Sequence, residues 1–70
     1  MAPYASPAMR DRFLHALDAE DRILSAEIAR ELLGCANPLP GMTCDQLGLP
    51  MGSTYACAAR RVLSLYSDRQ

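Results

Sequence analysis

The imidazole of His15 and the thiols of Cys35, Cys44 and Cys57 are the first side chains to weigh as nucleophile, base or metal ligand. Nucleophilic catalysis needs a serine or cysteine held against a base that a third group orients. His15 is the single histidine, and no serine or cysteine stands at a spacing that would hold it in that role. With Asp11 one helical turn away, it reads as a solvated side chain on a helix face. Structural zinc sites usually draw their ligands in close pairs such as C-x-x-C. The three cysteines are nine and thirteen positions apart, so no metal ligand, catalytic residue or cofactor is expected. Gly34, Gly41, Gly48 and Gly52 are dispersed, with no phosphate-cradling loop among them.

The cysteines still have a redox reading. Cys35 follows a helix end in a proline-rich loop and is expected to be the most exposed of the three. An odd cysteine can join two copies of a chain, so Cys35 or Cys44 could pair with its counterpart on oxidation. Cys57, among alanines, reads as a small buried apolar residue. No basic n-region leads into an apolar run at residues 1–7, and no stretch approaches the roughly 18 apolar residues of a membrane span. The expected setting is cytoplasmic, where thiols stay reduced.

All seven basic residues are arginines, set against eight acids. Their signs separate along the chain. Residues 10–33 hold four arginines and six acids, a net of −2, whereas residues 53–70 hold three arginines and one acid, a net of +2. Surfaces of opposite sign steer toward different neighbours. Seventy residues with half of them apolar make one small domain, near the lower limit for folding alone. Pairing with a second copy, or with a partner, is therefore expected.

The pattern predicts an all-α bundle of three to four short helices. Residues 1–6 read as a loose arm, and Ser6-Pro7 as a helix entry. Met9, Phe13, Leu14 and Leu17 recur at helical spacing. Asp18 is expected to cap a second helix, with Ile23, Leu24, Ile28, Leu32 and Leu33 as its buried face. One continuous helix from Pro7 to Leu33, about 40 Å long, fits the same stripe. Gly34 is the expected left-handed stop. Two prolines and a glycine make residues 35–42 a loop. Thr43-Cys-Asp-Gln46 reads as a capping box opening a short third helix, which Gly48 and Pro50 end. Met42 and Met51 bracket that helix and are expected to fill core gaps. Ser53 is the expected cap of a last helix carrying Tyr55, Ala58, Ala59, Val62, Leu65 and Tyr66, packed across the second. The tail, residues 67–70, is expected to fray.

Residues 43–66 resemble a helix-turn-helix. The likeness lies in Leu47-Gly48-Leu49, a turn through Pro50 to Gly52, and Ser53-Thr54 opening a helix with an Arg60-Arg61 pair. That resemblance implies a final helix able to enter a DNA major groove. Strong duplex binders neutralise many phosphates, and this half of the chain offers only Arg60, Arg61 and Arg69. In size, near-neutral charge and lack of catalytic residues the chain is also similar in general character to small phage and mobile-element inhibitors, anti-CRISPR proteins among them. No motif carries that second likeness.

The expectation is a non-catalytic protein that blocks a protein or nucleoprotein complex by surface contact. Ser53, Thr54, Arg60 and Arg61 would supply polar contacts, and Tyr55 or Tyr66 an aromatic anchor. The alternative is a DNA-binding regulator that reads with its last helix.

Overall fold

The structure is a computed structural model that describes residues 4–66. The first half of the expected arm and the expected frayed tail lie outside the described residues. Four helices follow in order: α1 (Pro7–Asp18), α2 (Arg22–Glu31), α3 (Gly41–Leu47) and α4 (Tyr55–Tyr66). There is no strand among the described residues, and the sole β-type contact is one antiparallel bridge between Pro38 and Thr54. The helices fold into a compact all-α globule of 30 × 26 × 19 Å.

Local chemistry explains where each helix begins. Ser6 Oγ accepts the Met9 amide at 3.2 Å, and Pro7 stands in the first turn of α1. The cap of α2 is Asp21, whose Oδ1 accepts the Leu24 amide at 3.1 Å. This corrects the assignment to Asp18, which is the last residue of α1. A continuous rod is also ruled out. Glu20 adopts φ 57°, and such a left-handed residue reverses the chain instead of extending the helix. α2 stops at Glu31 with Leu32 as its cap. Gly34 is not among the positive-φ residues, so the expected glycine stop is not used.

α3 starts two residues before the expected capping box. Pro40 precedes it with no side-chain cap, and its carbonyl accepts the amides of Thr43 and Cys44, both at 3.0 Å. Thr43 is buried inside the helix. The predicted stop at Gly48 is observed, with φ 68°. Thr54 Oγ1 serves α4 as a cap, accepting the Cys57 amide at 3.4 Å. Ser53, predicted for that role, instead donates its hydroxyl to the Pro50 carbonyl at 2.7 Å.

The core is centred on Phe13, Leu17, Ile28, Leu32, Tyr55 and Val62. Phe13 and Tyr55 meet as tilted rings, 6.1 Å between centroids, a favourable arrangement of ring edges and faces. α4 packs most extensively against α2, as predicted, and α1 packs on α2 as well. Ala29, Ala58 and Ala59 are fully buried, and Ser25 and Ala26 nearly or wholly so. Small side chains on both helices let α2 and α4 approach closely. That crossing decides which face of α2 is inside. Ile23, expected in the core, is 77% exposed, and Leu33 is exposed as well.

Candidate interaction surface

The loop at residues 35–40 is the element that holds α4 in place. The first amides of any helix lack partners within it. Here the Tyr55 amide donates to the Asn37 carbonyl at 3.0 Å and the Ala56 amide to the Cys35 carbonyl at 3.1 Å. The Leu39 amide donates to the Ser53 carbonyl at 2.9 Å. Asn37 Oδ1 accepts two further bonds, from the Ala5 amide at 2.9 Å and the Cys35 thiol at 3.0 Å. The proline-rich segment thus acts as a brace between the N-terminal arm and α4.

This bracing relocates several residues singled out from the sequence. Cys35 is 5% exposed and Cys44 is more deeply buried still. The thiol expected at the surface is inside, because its carbonyl caps α4 and its sulfur bonds Asn37. A bridge between copies through either cysteine therefore requires the fold to open. Tyr55 is 3% exposed and belongs to the core. Burial pushes its phenol pKa up, against a smaller lowering by Arg10. It offers a partner no anchor. Thr54 and Ser53 are half-buried and occupied within the turn.

Three of the predicted positions do face outward to some degree. Arg60 and Arg61 are exposed and Tyr66 is half-exposed. Arg61 Nη2 reaches back to the Gly48 carbonyl at 3.5 Å, tying α4 to the end of α3. Arg22 lies over the Tyr66 ring, 5.8 Å from its centroid, a cation–π contact. The connection from Leu47 to Tyr55 runs through seven residues, longer than the turn of about three or four that joins a helix-turn-helix pair.

Cys57, expected to be buried, is half-exposed in the first turn of α4. The Thr54 hydroxyl approaches its sulfur at 3.6 Å and Arg60 Nη2 at 3.8 Å. Hydrogen bonding from Thr54 lowers the thiol pKa, first through the backbone and then the side chain, with Arg60 adding to it. His15 stands exposed on α1. Among the described residues no three His, Cys, Asp or Glu side chains gather where they could hold a metal ion.

Two features were missed in the sequence. Met42 is 83% exposed and Met51 77% exposed, although both were expected in the core. The Met51 thioether lies across the backbone of Gly41: a β-carbon built there would stand 3.1 Å from its terminal methyl. Met51 therefore sits beside Gly41 at the start of α3, the residue before Met42, with exposed Pro40 and Pro50 on the same segments. The sequence carried only a partial clue: Pro40 and Pro50 stand just before these methionines, and proline breaks the regular pattern from which a buried face is read.

No protein-family model matches the chain, and no curated protein or solved structure gives a significant match. No helix among the described residues is long and apolar enough to cross a membrane.

Proposed function

We propose that this chain is a non-catalytic binding protein whose α3–α4 corner docks on a protein or nucleoprotein surface. The observation that carries this reading is the exposed pair Met42 and Met51 at the head of α3. Large apolar side chains left mostly in water add little to the fold and suit a contact surface. Methionine is well adapted to that role, since its unbranched thioether conforms to irregular partners. Arg60 and Arg61 on α4 add guanidiniums that can bond carboxylates or phosphates. A rigid helical corner with apolar centre and polar rim binds without any cleft. The mode of action is that of the small phage and mobile-element inhibitors, which cover a working surface of a larger assembly.

Duplex DNA is the second reading, favoured by the exposure of Arg60 and Arg61 on the last helix. Two arginines, one of them tied to Gly48, support few phosphate contacts.

One pair of measurements separates the readings. Immobilised wild-type chain and a Met42→Asp/Met51→Asp variant are used to capture proteins from lysate of the native host cell. The expected result is a partner retained by the wild type and lost by the variant. Equal recovery by both chains would remove the corner from the interface. Duplex DNA titration at low salt is expected to show no binding. Micromolar affinity that falls steeply with salt, and is lost in Arg60→Ala/Arg61→Ala, would establish the DNA reading instead.

A further inference from the structure

α2 carries a second surface, which includes none of Met42, Met51, Arg60 and Arg61. Arg22, Ile23, Glu27 and Arg30 point outward and, with Ala26 and Tyr66, line a groove of about 310 Å³. Ile23 stands in it 77% exposed. Arg22, over the Tyr66 ring, closes the side nearest α4. The groove is neither simply apolar nor of one sign. An acidic segment would meet Glu27 there, and a basic one would meet Arg22 and Arg30. It suits a surface that presents the same groups in reverse order.

We propose that this face is a two-fold interface in which α2 of a second copy lies antiparallel on the first. Ile23, Glu27 and Arg30 follow one another at four- and three-residue steps, the spacing that keeps side chains on one helix face. Place the two-fold axis midway between positions 28 and 29. Glu27 then lies opposite Arg30 of the second copy, and Arg30 opposite its Glu27, so one sequence supplies two ion pairs. Ile23 then falls opposite the turn that follows α2 in the second copy, where Leu33 is exposed and nothing crowds Gly34. The register with the axis at Glu27 itself instead sets the two Glu27 carboxylates opposite one another, which costs energy. The charges thus select one alignment, as an isologous contact requires.

The interface is small. In this register residues 26–31 of the two α2 helices face one another, about 9 Å of helix, so each copy buries only a few hundred square ångströms, less than the roughly 800 Å² per partner of a stable complex. The dimer is accordingly weak and forms on concentration.

Sedimentation equilibrium in reductant, from low micromolar to near-millimolar chain, tests this. Wild-type mass is expected to climb toward that of two chains. Glu27→Arg or Arg30→Glu alone should weaken association by about tenfold or more, because each sets like charges opposite one another. A mixture of these two variants should associate again, as should the double variant Glu27→Arg/Arg30→Glu, since both recreate the opposed pairs. Ile23→Asp, at an exposed position, should stay folded by circular dichroism and remain monomeric. A wild-type chain monomeric throughout would overturn the proposal. So would a dimer that survives Ile23→Asp, or charge reversals that the mixture and the double variant fail to rescue. None of these results bears on capture through Met42 and Met51.

Discussion

Glu20 and Gly48 occupy the same place in two copies of one turn. After α1, the Glu20 amide donates to the Leu17 carbonyl at 3.1 Å and the Asp21 amide to the Ala16 carbonyl at 2.9 Å. After α3, the Gly48 amide donates to the Asp45 carbonyl at 3.2 Å and the Leu49 amide to the Cys44 carbonyl at 2.8 Å. Both are Schellman closures, with φ 57° at Glu20 and 68° at Gly48.

That equivalence yields a matched prediction. A side chain in the left-handed region costs roughly 1–2 kcal/mol, partly offset because glycine loses more entropy on folding. Glu20→Gly is expected to stabilise the protein by about 0.5–1 kcal/mol. Gly48→Ala should destabilise it by about 1 kcal/mol, although nothing crowds the added methyl. Urea unfolding of both variants measures the pair. Opposite signs support the shared geometry, and a destabilised Glu20→Gly would show that the glutamate side chain does more than occupy the turn.

The helical plan was legible because it rests on local signals: Ser6-Pro7, the Pro/Gly loop and Gly48 each act within a few residues. The faces were less legible. Apolar type marked Ile23 as inside, yet α2 buries Ser25, Ala26 and Ala29, because closeness to α4 rewards small side chains over large ones. Hydrophobic periodicity weighs isoleucine above alanine and so rotates the predicted face. The same error hid the groove around Ile23. Cys35 was misplaced for a related reason: a loop composition shows that the chain turns, not that its carbonyls cap a helix twenty residues on. Of the expected contact residues Arg60 and Arg61 stayed exposed, since long charged side chains keep their heads in water.

Asn37 gives the brace a direct test. Its Oδ1 accepts from Ala5 and Cys35, while its carbonyl accepts from Tyr55. Asn37→Ala keeps the carbonyl and removes the side-chain acceptor, leaving two donors without it. The expected loss is about 1–3 kcal/mol. Hydrogen exchange at the Ala5 amide should accelerate more than at Tyr55. Equal acceleration at both would mean that the whole segment, not the side chain, sustains the contact.

Ser25 is fully buried in α2, and its hydroxyl oxygen has no hydrogen-bond partner. A buried polar group left unpaired costs about 1–3 kcal/mol, and alanine is also the better helix former. Ser25→Ala should therefore stabilise the fold by about 1 kcal/mol, raising the melting temperature by roughly 4–8 °C for a domain of this size. A melting temperature that falls would mean that the hydroxyl does find a partner in solution.

Cys57 should be the reactive thiol. The thiolate is the attacking species, and bonds from Thr54 and Arg60 hold the Cys57 pKa below its ordinary value. Cys35 and Cys44 are shielded by burial. Alkylation at neutral pH is expected to modify Cys57 first, with the other two reacting only on unfolding. Thr54→Val should slow Cys57 labelling and move its pH midpoint upward. The sign for stability follows from the lowered folded-state value. The contribution of Cys57 is fully present above the pKa of an unfolded thiol, about 8.5, and is lost as pH falls through the lower folded value. Wild type should thus gain stability over Cys57→Ala on the alkaline side of neutrality. Labelling led by Cys35 would contradict both its burial and the caps it provides to α4.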